Sequence, residues 1–411
     1  MTGGGARLLI ETAPGQTRAL LYEAGQVVEC WHDVAHDPDL TGSVHLVRID
    51  RVFRAQNRAT ARLADGAAAS IRISRHDRLA AGDLVPVTIT AARREGKPWQ
   101  AVPGARLAGR HIVLLAGETG IATSSRMTEP PASDVMARLT QILDASPGYG
   151  IILRRDAGSA DDLPGELSGL IAAWREESTD LSDEGCVYGA GSLARRLKRH
   201  HPAAAVTVVD PGMADGFAGD WDEVIADCCS DQVTLSGGGR LWIEPTRALT
   251  AIDLDSGSGD LASLLAEAPS VIAAQLRLRQ TGGLVAIDVP RAAKAASGRF
   301  DAALEAALGR DPRHPERIGR TRGGLVELRL PHGREGPASW AADRMVTGVL
   351  SVLRDVALRP ALATARIELA ADMADWLRGA GAPALAMLDR PVELVVSSQA
   401  TTARLIEGPG R

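Results

Sequence analysis

The chain has 411 residues, 45% of them hydrophobic, and a formal net charge of −5. That length supports roughly two to four domains with a substantial core, and the acidic balance leaves any nucleic-acid binding to local basic patches. Aromatic residues make up only 3%, so stacking platforms for bases are few. The four cysteines, Cys30, Cys186, Cys228 and Cys229, have no CxxC spacing. This reads as reduced thiols in a cytoplasm and argues against a zinc ribbon. Apolar runs such as LVAIDV are short and interrupted by charge, and the opening MTGGGARLLIE has neither a basic n-region nor an apolar h-region. A cytoplasmic chain without signal peptide or membrane span is therefore expected.

Residues 6–31 alternate like a hairpin turning at Pro14-Gly15, with a second turn near Ala24-Gly25. Residues 42–103 continue as short strands, at the spacing of a small closed barrel. From 104 to 207 the texture is mixed: a strand in GYGIILRRDAG, a helix in DLPGELSGLIAAWREES, a basic helix in GSLARRLKRHH, and a strand in AAVTVVD. DQVTLSGGGRLWIEPTRALTAIDLDSG reads as a hairpin with Ser236–Gly239 in its turn, followed by a strand. Residues 261–280 are helical, with apolar Leu264, Leu265, Ile272 and Leu276, a break at Pro269 and a stop at Gly282-Gly283. Next comes the apolar strand GLVAIDV. The last seventy residues read as a helix in AADRMVTGVLSVLRDVA, a strand in TARIELA, a second helix in DMADWLRGAGAPALAML and a strand in PVELVVS, forming a compact α/β unit. No internal repeat is visible.

The chemistry is concentrated where TRALTAIDLDSG ends. Asp253 and Asp255 are two apart in a strand and so share a face, with Leu254 on the other. Like charges on one face need water, a cation or a basic partner, and a hard cation takes one or two carboxylates together with substrate phosphates. The competing reading is a strand running out into a solvated Asp-Ser-Gly turn. The strand ending in Asp288 adds to the first, because strand-helix-strand units lie parallel and bind ligands beyond their carboxyl ends.

The segments SGGGRLWIEPTRALTAIDLDSG, AAQLRLRQTGGLVAID and TRGGLVELRL resemble, in order and spacing, the catalytic core of the ribonuclease E/G family. The resemblance implies an α/β, multi-subdomain fold: a ribonuclease-H-like region in two parts (1–40 and 191–245), an inserted S1-type OB β-barrel (41–104), a 5′-sensor-like region (105–190), a DNase-I-like α/β catalytic subdomain (246–338) and a small C-terminal α/β domain (339–411). It implies an endonuclease for single-stranded RNA, acting in RNA processing or decay, with Asp253 and Asp288 holding Mg2+, or Mn2+ as the alternative ion, and a water attacking in line. Asp255 stands where the family has Asn, beside the metal and the scissile phosphate, and Arg291 stands where the family often has Asp. Family aromatics of the barrel fall on Arg62 and Ile71, leaving Lys97 and Trp99 as its basic-aromatic pair, which reads equally as a solvated loop charge and a Trp capping the barrel. Arg154 matches the sensor Arg, with Arg155 in place of Thr, and Arg322 matches an Arg beside the catalytic subdomain. The basic run Arg310–Arg322, at roughly helical spacing, is explained as well by a solvated face, and ARRLKRHH at 194–201 reads as an exposed helix face rather than a docking site. PHGREGPASW replaces the family's CPxC, so no shared zinc is expected, and any homo-oligomer forms without one. The long scaffold tail of larger members is not expected either.

Two functions follow. One is a metal-dependent endoribonuclease, with turnover lowered by Asp255; the other is a non-catalytic RNA-binding paralogue that kept the fold.

Overall fold

A computed structural model of the protein describes residues 5–92, 98–127, 129–213, 216–291, 293–331, 335–359, 362 and 364–406. The chain folds as two compact units, Met1–Pro38 with Ala204–Arg411, and Asp39–Ala203 inserted between them. The N-terminal hairpins are β1 (Arg7–Ala13), β2 (Gln16–Glu23) and β3 (Gln26–Val34), turning at Gly15 and Gly25, both at positive φ. Such turns suit glycine, which has no Cβ to clash.

In the inserted unit, β4 (Val44–Phe53), β5 (Arg58–Arg62), β6 (Ala68–Arg72), β7 (Leu84–Ala91) and β8 (Trp99–Pro103) close into a five-stranded, OB-like barrel. Closure depends on β4: Val44–Arg48 pair with β7, and after a bulge between Ile49 and Arg51 the same strand pairs with β5. Val47, Ile49, Ile71, Val87, Ile89 and Trp99 fill its interior. The rest of this unit is a sheet of β9 (Ala105–Ala108), β10 (Ile112–Ala116), β11 (Gly120–Thr123) and β12 (Tyr149–Leu153), in the order β11-β12-β10-β9. Helices α1 (Ser133–Asp144) and α2 (Leu163–Glu177) share its apolar core; β13 (Gly185–Tyr188) adds to β4, and α3 (Leu193–His200) follows.

The chain then re-enters the first unit. β14 (Ala205–Val209) pairs in parallel with β1, and α4 (Phe217–Cys229) packs Phe217, Trp221 and Val224 against Leu9, Leu20 and Tyr22. A second sheet has the order β15 (Gln232–Thr234), β16 (Arg240–Pro245), β17 (Thr250–Asp255), β18 (Gly283–Asp288), β20 (Val326–Leu330), β19 (Glu316–Arg320). The helices α5 (Leu261–Leu278) and α6 (Lys294–Leu308) share one apolar core with it. α5 is the one described helix long and apolar enough to cross a membrane, and half of that stretch is buried within the fold. Pro269 does not break it, contrary to the sequence expectation: α5 runs through, with Pro269 buried. Its ring removes one backbone hydrogen bond, but Leu264, Leu265, Ile272 and Leu276, buried on either side, hold the helix together.

The C-terminal segment has α7 (Pro337–Ala342), α8 (Arg344–Ala357), β21 (Ala365–Leu369), α9 (Ala371–Arg378), α10 (Ala382–Ala386), β22 (Val392–Val396) and β23 (Arg404–Ile406), with strand order β22-β21-β23. Each expected helix here is two. Asp343 turns its carboxylate onto the Val346 N–H and starts α8 afresh, and Gly379–Gly381 separates α9 from α10. The Arg310–Arg322 run is not a helix at all, since it crosses a turn and β19. None of the four cysteines forms a disulfide among the described residues, and Cys30 and Cys228 are buried.

Candidate active site

β17 and β18 owe their form to alternation. Ile252, Leu254, Val285 and Ile287 point into the core, while Asp253, Asp255 and Asp288 are exposed on the opposite face. The parallel register sets Asp253 directly beside Asp288, one strand spacing of about 4.8 Å away. α5 is the crossover between the two strands, so both acids lie at strand C-termini, where open α/β sheets take ligands.

No hydrogen bond or ion pair engages Asp253 or Asp288 among the described residues. Two carboxylates this close repel by roughly 1 kcal/mol in water and several-fold more where solvent is displaced. That arrangement fits a hard divalent cation, which takes one or two carboxylates and completes its shell with water and phosphate oxygens. Among the described residues no group of three or more His, Cys, Asp or Glu gathers as a larger ligand set. Asp255 is committed in part: its Oδ1 accepts the Gly257 N–H at 2.9 Å, as in a side-chain-closed turn. The turn reading and the acid-edge reading therefore both describe this strand end.

The surroundings of the acids are built from glycine. The turn Ser236–Gly239 and the loop 256–259 lie so close that a Cβ on Gly259 would come within 2.3 Å of the Gly237 carbonyl oxygen. Gly238 and Gly257 also have positive φ. Glu267 on α5 accepts the Ser236 and Gly237 N–H groups at 2.7 and 3.0 Å, and these bonds hold its pKa below the usual carboxylate value. Asp260 caps α5 by accepting from Ala262 and Ser263. Across the hairpin, Trp242 stands opposite Asp253 and Arg240 opposite Asp255. Sequence reasoning passed over both, although alternation counted outward from the Ser236–Gly239 turn puts them on the acid face. Beyond Asp288 follows Arg291, exposed and making no ion pair with it.

Arg322 is exposed in the turn between β19 and β20, and β20 runs antiparallel to β18 with Val326 opposite Ile287. The turn is therefore at the same sheet end as Asp288. Its basic neighbours in sequence are spent on structure: Arg313 binds Asp311 and the Thr281 and Leu276 carbonyls, Arg317 lies 3.6 Å from Glu305, and Arg320 pairs with Asp301. The QLRLR segment is a clamp as well. Arg277 bridges Glu23 and Glu29 on β2 and β3, and Arg279 donates to the Cys228 and Asp227 carbonyls at the end of α4.

In the inserted unit, Lys97 lies outside the described residues. Its neighbour Trp99 is only 4% exposed and belongs to the barrel core, as does Ile71 at 0%. Neither offers a face to a base. Arg62 is exposed and donates to the Gly66 carbonyl. Arg154 follows β12 and donates to the Gly109 carbonyl at 2.9 Å; burial lowers its pKa, with Asp156 opposing that effect. Arg155, next to it, is half-buried. The basic helix α3 exposes Arg195, Lys198 and His200, as an exposed helix face would, while Arg196 is buried against Asp39 and Arg199 donates to the Tyr188 hydroxyl.

Residues 218–329 match the family model described as the ribonuclease E/G family. Ribonuclease G of Haemophilus influenzae is 23% identical over 399 residues, with 80% of each chain covered. Ribonuclease G of Escherichia coli K12 is 22% identical over 401 residues, again with 80% of each covered. Ribonuclease E of Escherichia coli K12 is 27% identical over 256 residues, covering 52% of this chain and 24% of that one.

Proposed function

The chain belongs to the ribonuclease E/G family, and from that premise we propose that it is an endoribonuclease cutting single-stranded RNA at the acid end of β17 and β18. One observation carries the reading: Asp253 and Asp288 are in register and exposed, with no ion pair among the described residues. Unpaired acids side by side cost free energy, which a cation and an RNA phosphate would offset.

In this reading Asp253 and Asp288 hold Mg2+ or Mn2+ and orient the phosphodiester for in-line attack. When bound, the ion would supply charge neutralisation for the phosphodiester and activation of a water. Water adds to phosphorus as the ribose 3′ oxygen leaves, giving a 3′ hydroxyl and a 5′ phosphate. Arg322 and Arg291 are exposed cations at this sheet end, without an ion pair among the described residues, to meet the entering phosphates. Asp255 places a further negative charge on the same face, so turnover is slower than an amide there would allow. Subdomain assignments belong to the same proposal: an S1-type barrel over 41–104, a sensor-like region over 105–190 in which Arg154 and Arg155 meet the RNA 5′ end, a DNase-I-like region over 246–338, a ribonuclease-H-like region in 1–40 and 191–245, and a small domain over 339–411. Lys97 is the barrel's phosphate contact in this scheme.

The test is cleavage of a labelled, AU-rich, 5′-monophosphorylated RNA by the wild type, Asp253→Asn and Asp288→Asn, with Mg2+ or with chelator. Cutting is expected to need the metal and to fall in each variant by more than the roughly 10–100-fold that outer partners of a metal site cost. RNA binding without cutting, equal in all three proteins, would identify a non-catalytic RNA-binding paralogue instead.

A further inference from the structure

We infer that Trp242 is the base-holding residue of the acid site, stacking a nucleobase of the strand whose phosphate lies at Asp253 and Asp288. The inference rests on the proposed RNA reading and adds a residue to it. Trp242 lies in the middle of β16, 38% exposed, on the open face of the sheet. A large aromatic in that position is ordinarily covered. Here its cross-strand neighbours are polar, Asp253 on β17 and Gln232 on β15, and its same-face neighbours along β16 are Arg240 and Glu244. Among the described residues no aromatic ring packs on it, whereas Trp221, Trp340, Trp174 and Trp376 each have a ring partner. The row Trp242, Asp253, Asp288 crosses three adjacent strands in register. The indole therefore begins about 5 Å from the first acid, within the reach of one nucleotide from its own phosphate.

The rest of the molecule gives this position its role. In the barrel, Trp99 and Ile71 are enclosed in the core and unable to stack. With aromatic residues at only 3% of the chain, an uncovered indole is the exposed aromatic beside the acids among the described residues, Phe53 being exposed in the barrel. Stacking tolerates any base, since every base has a π-face, so the residue fixes position without reading sequence. Arg240, exposed and opposite Asp255, is placed to take the adjoining phosphate.

The experiment measures RNA affinity by anisotropy in chelator, and KM and kcat in Mg2+, for wild type, Trp242→Ala and Trp242→Phe. Each is tested on RNAs carrying a single abasic nucleotide scanned across the cleavage region. Trp242→Ala is expected to weaken binding and raise KM about tenfold with kcat little changed, and Trp242→Phe to recover most of the loss. One abasic position should weaken binding to the wild type and have no effect on Trp242→Ala. Equal binding by wild type and Trp242→Ala overturns the inference. So does an abasic scan that costs both proteins alike, or an Ala variant whose only change is loss of self-association. A wild type that binds through Trp242 without cutting would sink the nuclease and leave the stacking residue. A wild type that cuts with Trp242 silent would do the reverse.

Discussion

Asp255 keeps one oxygen on the Gly257 N–H and leaves its charge on the acid face. At a separation of ~7 Å in water, a second negative charge costs an approaching phosphate about 0.6 kcal/mol, a factor of roughly three. Asp255→Asn keeps the acceptor for Gly257 and removes the charge. Its KM for RNA is expected to fall about threefold, with the gain fading as salt is added; steady-state cleavage across an ionic-strength series checks this. Arg322 makes no hydrogen bond or ion pair among the described residues, so Arg322→Ala should leave stability alone. It should weaken binding to all RNAs similarly and reduce the salt slope by about 0.7. Binding titrations from low to moderate salt would expose a structural role through an unchanged slope.

At the scale of elements, α5 is what holds the acids in register, and its C-terminal end is tied down by arginines. Arg277 reaches two glutamates on the N-terminal hairpins, and its side chain is only 10% exposed. Arg277→Ala would strand Glu29, and a loss of about 3 kcal/mol is expected, read as a lowered midpoint in urea unfolding. Much of this arrangement is legible in the sequence. The hairpin, the strand ending in Asp253 and the strand ending in Asp288 follow from period-two alternation, and their adjacency follows from the strand-helix-strand connection. What was hidden is of two kinds. Proline rules are local, whereas Pro269 is overridden by apolar side chains that bury on either side of it. Arginine spacing carries no partner information: Arg313, Arg317 and Arg320 find theirs through the fold, and Arg196 finds Asp39 from 157 residues away. The barrel left Trp99 open between a base contact and a core position for a related reason, because sequence does not say whether it faces in or out.

For the molecule as a whole, the N-terminal sheet and the C-terminal segment are joined by one buried carboxylate. Glu11 on β1 accepts from Arg18 and from Arg354 on α8, the latter at 2.8 and 3.0 Å. Burial pushes its pKa up, but the two guanidiniums together outweigh that and hold it below the usual glutamate value near 4.5. A carboxylate depressed in the folded state stabilises above its unfolded pKa and loses that contribution as pH falls through the folded one. Stability is therefore expected to drop below about pH 4.5. The drop should be smaller in Glu11→Gln, which is less stable at neutral pH; denaturation midpoints from pH 7 to 3 would show it.

The insertion of residues 39–203 between β1–β3 and their partner β14 has a consequence for synthesis. A ribosome making about 5–20 residues per second spends roughly ten to forty seconds between completing the first hairpins and delivering the strand and helix that cover them. Over that interval the faces bearing Leu9, Leu20 and Tyr22 are without α4, while the inserted unit already has all of its own strands. The inserted unit is thus complete before β1–β3 receive their partners, and the longest exposure to aggregation and to chaperones falls on residues 7–34.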